Sequence, residues 1–533
     1  GKKANTAGTG TVSASILSVD GNRFQNAGIG QNVTTPGATP RDTYAGLSVY
    51  GNTTNHNELN ITGGSHTNAR AGYTDALNGG SDFNTLNLTG GNVTNGYAGY
   101  TTGVHLLVNP EDEEHPELVD TTKNADAKNN TVNIKGGTLN AGGKLYGGYI
   151  ATNAALTPPN NVSAGNASGN TINIESGMFG GSNEIYGGYT NGTGKTTGNT
   201  VNIGYTDEKK VFHAVADGTK VIGTIYGGNK SAEGNTLNVR GAITAGQIAN
   251  FEKLNFAVNK SLTGKTLLSL NGGAQTTGLD WQKLTTDIAM ADLPTKSYDA
   301  TRITLMANDK GIDFGSTYDK AKDVVADDVY EFSVDKNNTS VYADGYRFKD
   351  NKLATFAATD GTHAEAWGGK SVLGKTAEGN VLTVTGGKIT DTAYGGTSSK
   401  GKAQNNKLVM HGGDVQTLKG GFGKTATDNT VDVFGGTVRG DVYGGHATNG
   451  AASNNTVNLY GGVQIGGTIH GGKASGASKN NTLAVHSFGT QAKDFDNVQN
   501  LHFYVPAGTT PAETRTMLTL TNTGAKDVKG LRF

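Results

Sequence analysis

The sequence predicts an all-β chain built as a β-solenoid, a stack of short coils. Three observations carry this. One motif returns along nearly the whole chain: Asn-Thr-Val-Asn-Ile, a Gly-Gly corner, a second short strand and an aromatic-Gly-Gly corner, as in residues 130–137 and 145–149. Within it, apolar and polar residues alternate with period two (Thr131-Val132-Asn133-Ile134), and glycine pairs interrupt every few residues, which argues for strands and against helical repeats. Finally, an anchor asparagine recurs at Asn57, Asn84, Asn130, Asn170, Asn199 and Asn235, then at Asn380, Asn406, Asn429, Asn455 and Asn481. The anchors stand 27, 46, 40, 29 and 36 residues apart in the first series and 26, 23, 26 and 26 in the second. Periods in this range mark a stacked array. The short spacings define the basic coil, and the long ones are coils with insertions.

Composition narrows the classes. At 533 residues the chain is too long for one compact core. Its 82 glycines follow no strict three-residue period, which excludes collagen, and the regular placing of Val, Ile, Leu and Tyr argues against disorder. A net charge of −1 gives no global field for nucleic acid or a membrane surface. The absence of cysteine suits a long array, which needs no disulfides, and a chain that crosses an oxidising compartment without being locked. No run of 18 apolar residues exists, so no direct membrane insertion by a helix is expected, and Gly1-Lys2-Lys3 leads into no apolar signal core.

Taken in order, residues 1–43 lack the repeat and read as an N-terminal cap or partial preceding unit, with a strand over 11–17 and a loop around Pro36 and Pro40. Residues 44–250 form a first unit of coils and 251–348 a closing or linking segment. Residues 349–495 form a second unit and 496–533 the start of a second closing segment. The two closing segments match: Phe251-Glu252-Lys253-Leu254-Asn255-Phe256 against Val498-Gln499-Asn500-Leu501-His502-Phe503, each followed by a similar strand (266–270 and 516–520). The second stops at Phe533, so the chain is expected to be a piece of a longer precursor.

Within a coil, Val132, Ile134, Leu139 and Leu145 are the expected core. Four buried side chains do not offset the backbone entropy of ordering a whole coil, so stacking must supply the difference. The anchor asparagines, Asn130, Asn170, Asn199, Asn235, Asn406, Asn429, Asn455 and Asn481 among them, are expected to form a structural ladder. Each would take left-handed backbone angles at a corner and bond the identical amide above and below. The Gly-Gly pairs would supply positive φ at the opposite corner.

The aromatic corner is the main candidate site. Tyr44, Tyr97, Tyr146, Tyr186, Tyr226, Trp367, Tyr394 and Tyr443 precede a small-Gly or Gly-Gly pair, and His470 holds the same place; Tyr73, Tyr100, Tyr149 and Tyr189 follow the pair. Stacked coils would align these into one or two columns. On a binding reading, Tyr97, Tyr100, Tyr146, Tyr149, Tyr186 and Tyr189 form an edge for sugar rings or a partner's apolar face. On a structural reading, which is favoured, the rings stack between coils and bury area. Insertions at 101–128, 151–169 and 204–223 are further candidates, since loops on a rigid scaffold carry recognition. The acidic run 111–117 lacks the spaced ligands of a calcium loop, and Thr138, Lys388 or Thr437 after Gly-Gly breaks the calcium nonapeptide pattern. No metal and no cofactor are therefore expected.

An enzyme on such a scaffold needs clustered carboxylates on one strand face. The outward position holds Asn60, Asn87, Asn133, Asn173, Asn202 and Asn238, then Thr383, Val409, Asp432, Asn458 and Ala484, a single carboxylate in the series. His363, His411, His446 and His486 lack metal-ligand spacing and read as scattered surface or corner residues.

The Asn-Asn-Thr-Val-Asn-Ile-x-Gly-Gly repeat at 129–137, Asp441-Val442-Tyr443-Gly444-Gly445 and the closing segment at 251–258 resemble the passenger regions of Gram-negative bacterial autotransporter adhesins. The resemblance covers about residues 44–533. It implies a right-handed parallel β-helix, here in two tandem units, exported to the cell surface ahead of a C-terminal outer-membrane barrel. It further implies attachment to host cells, other bacteria or surfaces through a surface protein or glycan, with self-association in some members. Neither the export signal nor the barrel lies in this sequence. The alternatives are a polysaccharide-processing β-helix enzyme and a stalk whose binding tip lies elsewhere.

Overall fold

The computed structural model describes residues 12–13, 16–19, 41–48, 54–74, 79–102, 106–108, 117–119, 125–151, 164–179, 182–206, 212–213, 215–216, 223–258, 262, 264–283, 285–288, 296–315, 324–325, 328–510, 514–522 and 524–533. Among them the chain is all-β, interrupted only by short 3-10 turns such as Trp281–Lys283 and Ala358–Asp360. It divides into two compact units: Gly1–Ile288 with Thr304–Lys320 and Asp335–Tyr342, and Ala289–Ile303 with Ala321–Val334 and Ala343–Phe533. The stretch 251–348 is thus shared between them.

In the first unit the strand after each anchor pairs in parallel with its counterpart in the next coil. Ile16–Val19, Glu58–Ile61 and Thr85–Leu88 lead to the start of Thr131–Ile150 and of Thr171–Phe179, then to Thr200–Ile203, Thr236–Val239 and Lys253–Val258. A coil of the same kind therefore precedes Asn57. We call this run the anchor face. The second run, the tyrosine face, pairs Arg41–Ser48, Ser65–Thr74, Asn92–Thr101, the later half of Thr131–Ile150, Glu184–Thr190 and Thr224–Gly228. The second unit repeats both, with Val381–Val384 through Asn500–Phe503 on the anchor face and Thr362–Ser371 through Asp494–Asp496 on the other. Both closing segments use the same parallel pairing, Ile243–Ala245 with Thr266–Leu270 and Thr490–Ala492 with Leu518–Leu520. Pairing that is parallel, in register and indifferent to insertion length is consistent with a β-solenoid. Val132, Ile134, Leu139 and Leu145 are all buried, as period-two alternation dictates.

The anchors lie at 0–1% exposure and bond to one another. Asn130 donates both its backbone N–H and its Nδ2 to Asn170 Oδ1, each at 3.0 Å, and its Nδ2 also to the Ser81 carbonyl at 2.8 Å. The same bonds link Asn57, Asn84, Asn130, Asn170, Asn199 and Asn235. In the second unit they link Asn380, Asn406, Asn429, Asn455 and Asn481; the series begins one coil earlier, at Asn351, and ends on Gln499 Oε1.

Two expectations about the corners are corrected. The left-handed residue is the one before the anchor: Asn129 (φ 55°), Asn405 (φ 54°), Asp428 (φ 59°) and Asn454 (φ 59°), or glycine, as at Gly169 (φ 67°). The anchor must aim its own N–H and amide at the next coil, so the chain turns one residue sooner, where Asn, Asp or Gly tolerates the angles. The glycine pairs are of two kinds. After the anchor strand, Gly137 (φ 78°) and Gly413 (φ 93°) take positive φ as expected. The aromatic-corner glycines do not. There the anchor amide fills the place of a side chain: a Cβ on Gly99 would lie 2.4 Å from Asn130 Nδ2, and one on Gly445 2.6 Å from the Asn455 amide.

Candidate functional site

Register on the tyrosine face aligns Tyr97, Tyr146, Tyr186 and Tyr226 in one column and Tyr73, Tyr100, Tyr149 and Tyr189 in a second. Along the first column Tyr97–Tyr146, Tyr146–Tyr186 and Tyr186–Tyr226 stack at 4.9, 5.3 and 4.4 Å with interplanar angles of 8°, 10° and 2°. Along the second, Tyr100–Tyr149 and Tyr149–Tyr189 stack at 5.1 Å each. The columns meet edge to face, Tyr146 against Tyr149 at 4.7 Å and 69°. Such pairs contribute about 0.5–1.5 kcal/mol each beyond area burial. Tyr97, Tyr146 and Tyr186 are buried, which pushes their hydroxyls far above the usual phenol range; Tyr100, Tyr149 and Tyr189 are half-buried. Ring faces inside the columns cover one another. What faces outward is ring edge and hydroxyl, with Tyr186 donating to Glu184 at 3.1 Å and Asn191 donating to Tyr149 at 3.4 Å. A sugar lying flat needs an uncovered ring face, and the middle of these columns offers none.

Sequence reasoning passed over the column's non-aromatic members, because it looked for rings. Arg70 fills the place between Tyr44 and Tyr97. Its guanidinium lies 4.7 Å from the centroids of both Tyr73 and Tyr100, and it pairs with Asp42 at 2.7 Å. In the second unit the first column reads Trp367, Tyr394, Lys419, Tyr443, His470, Asp496. Lys419 lies 4.8 Å over the Phe422 ring, and burial holds its ammonium pKa below the usual lysine value. His470 is clamped between Asp496, on Nδ1, and Asp441, 3.6 Å from Nε2.

Three of the four histidines His363, His411, His446 and His486 are not scattered. His446 lies in the second column, stacked at 5.1 Å on Tyr443, with Nδ1 buried and no hydrogen-bond partner among the described residues. Burial first, then the charges of Lys419 and Lys473, push its pKa down to about 4. His411 and His486 belong to a separate column on the anchor face: His411–Phe434, Phe434–Tyr460, Tyr460–His486 and His486–Tyr504 stack at 4.8, 4.3, 4.3 and 4.4 Å. Phe434 is 41% and Tyr504 52% exposed, so this column sits at the surface. His363 stands apart, tilted on Tyr298 at 3.9 Å.

The outward asparagines of the first unit form a second amide ladder. Asn87, Asn133, Asn173, Asn202, Asn238 and Asn255 each donate Nδ2 to the preceding Oδ1 at 2.7–2.8 Å, beginning on Asn60. Of the expected insertions, the acidic residues 111–116, and residues 152–163 with Pro158-Pro159, lie outside the described residues, as do Asp207-Glu208-Lys209-Lys210. Among the described residues no group of three or more His, Cys, Asp or Glu could hold a metal ion. What the described surface offers chemically is hydrogen bonding and packing along periodic columns. No protein-family model, curated protein or solved structure matches the chain.

Proposed function

We propose that this chain is the passenger region of a surface-displayed bacterial adhesin. Its right-handed parallel β-helix, in two tandem units each followed by a closing segment, serves as a rigid platform for attachment to host cells, other bacteria or surfaces. The observation that carries this reading is a division of labour within the coil. Inward positions repeat from coil to coil and satisfy one another, as in the anchor ladder, while outward columns at the same register change from Tyr to Arg, Lys, His or Asp. A scaffold that holds its interior constant and varies its face is suited to recognition. The repeat that resembles autotransporter passengers supports the same reading, with the chain displayed outside the cell.

The test is attachment by the whole chain. Fluorescently labelled protein should bind epithelial cells, bacterial cells or an abiotic surface saturably, and unlabelled protein should compete. Depolymerisation of any member of a polysaccharide panel, with no saturable attachment, would replace the adhesin by the enzyme.

A further inference from the structure

The outward anchor face of the first unit is more regular than stacking requires. Five successive coils place threonine two residues before the ladder asparagine: Thr85, Thr131, Thr171, Thr200 and Thr236 lie in one in-register column and Asn87 through Asn238 in the next. All are half-buried, and none carries charge; Glu58 and Lys253 bound the threonine column at its two ends. None of the five hydroxyls has a hydrogen-bond partner among the described residues. From Asn133 to Asn238 each ladder amide gives one Nδ2–H to a neighbour and accepts one on Oδ1, which leaves an N–H and a lone pair, whereas Asn87 gives its second Nδ2–H to Glu58. The second unit shows that the fold does not demand this pattern. The positions of Thr171 and Asn173 correspond there to Val381 and Thr383, Lys407 and Val409, or Thr482 and Ala484, on strands paired in the same way.

We propose that this threonine–asparagine face is a binding site for an extended, uncharged polysaccharide. The proposal rests on the adhesin reading and names its ligand class. Rows of unsatisfied donors and acceptors repeat at the strand spacing, about 4.8 Å. A partner that satisfies every row must itself repeat at nearly that interval and present hydroxyls as both donor and acceptor. An extended β-linked glycan does so, with one sugar per coil. The threonine and asparagine columns hold no cation for a polyanion, and the cations at the next outward position are already engaged, Lys135 with Glu175 at 3.2 Å and Arg240 with a partner of its own. An extended polypeptide laid along the columns spaces its same-side side chains about 6.8 Å apart, out of step with the rows. The stacked tyrosines cannot take this role, since their ring faces are covered.

The test uses the full chain and substitutions the scaffold already accommodates at equivalent positions: Thr171→Lys (lysine at 407) and Thr171→Lys with Asn173→Ala (alanine at 484). Co-sedimentation with insoluble cellulose, chitin and mannan is measured, with heparin-agarose as the charged comparison and cell attachment followed in parallel. The expected result is saturable binding to at least one neutral polysaccharide, weakened tenfold or more by Thr171→Lys and further by the pair, with an unchanged melting temperature in Thr171→Lys, a small decrease in the pair, and no effect of Thr456→Lys in the second unit. Binding equally strong in the Thr171 variants would overturn the location. Heparin binding alone, or shaping of ice crystals in place of polysaccharide binding, would overturn the ligand class. Cell attachment that persists while no neutral polysaccharide is bound would overturn this inference and leave the adhesin reading standing. Failure of both attachment and polysaccharide binding would remove both.

Discussion

In the first unit the position before the aromatic corner holds four successive stacked tyrosines; in the second the same position holds Trp367, Tyr394, Lys419, Tyr443, His470 and Asp496. The anchor position, by contrast, holds asparagine in every one of these coils, and anchors in both units make the same amide-to-amide bonds at 2.8–3.2 Å. The contrast teaches which positions stacking dictates. An anchor amide is buried, must satisfy two donors and an acceptor, and has no room beside the facing glycine, so one residue type fits. A column position on the tyrosine face needs only something long and flat, or a cation that covers a ring. Stacking is tolerant there, and the two units diverge.

The largest effect should come from breaking what they share. Asn455→Ala removes bonds to the Ala426 carbonyl, to Asn481 Oδ1 and from both Asn429 donors, leaving several buried groups unpaired. A loss of about 3–5 kcal/mol is expected. Asn130→Ala should cost the same, measured as local hydrogen-exchange free energies in the adjoining coils; a much smaller loss in one unit would break the equivalence. Next come Gly99→Ala and Gly445→Ala, whose Cβ would overlap the anchor amide, at about 1–3 kcal/mol in either unit by the same measurement.

The units should differ in their response to pH. The His446 pKa is pushed from 6.5 down to about 4 in the folded chain, so between those values the unfolded state takes up the proton and the folded state does not. Stability of the second unit should therefore be unaffected by this group above pH 6.5 and fall as pH drops toward 4. The group is only half-buried, so solvent screening limits the loss to about 1 kcal/mol. His446→Phe, which places the residue of the preceding coil (Phe422) at this register, should flatten the dependence in urea titrations at pH 7 and 4.5. The smallest effect belongs to the outward ladder. Asn173→Ala, with alanine already at 484 in the second unit, should cost about 0.5–1 kcal/mol, because water replaces bonds at a half-buried site.

The anchors, the glycine corners, the four core residues and the tyrosine columns were legible in the sequence because each recurs with its own neighbours. Register was not. That Arg70 shares a column with Tyr97, or Lys419 with Tyr443, follows only when coils 23–46 residues apart are laid side by side, and their residue types break the pattern being sought. His411 and His486 looked isolated for the same reason: their column alternates imidazole, phenyl and phenol, which stack interchangeably. The left-handed corner was placed one residue late because the asparagine pair Asn129-Asn130 repeats both residues, and only hydrogen bonding tells which turns and which binds.

The central claim is that a buried amide ladder of the same kind organises each unit, leaving the outward faces free to differ. Each anchor's backbone N–H is itself a bond of that ladder, so residue-resolved hydrogen exchange at Asn84, Asn130, Asn170, Asn406, Asn429 and Asn455 reads it directly. All six should be among the slowest amides in the chain, with comparable protection in the two units. Rapid exchange at the anchors of either unit, beside protected neighbouring strands, would contradict the claim.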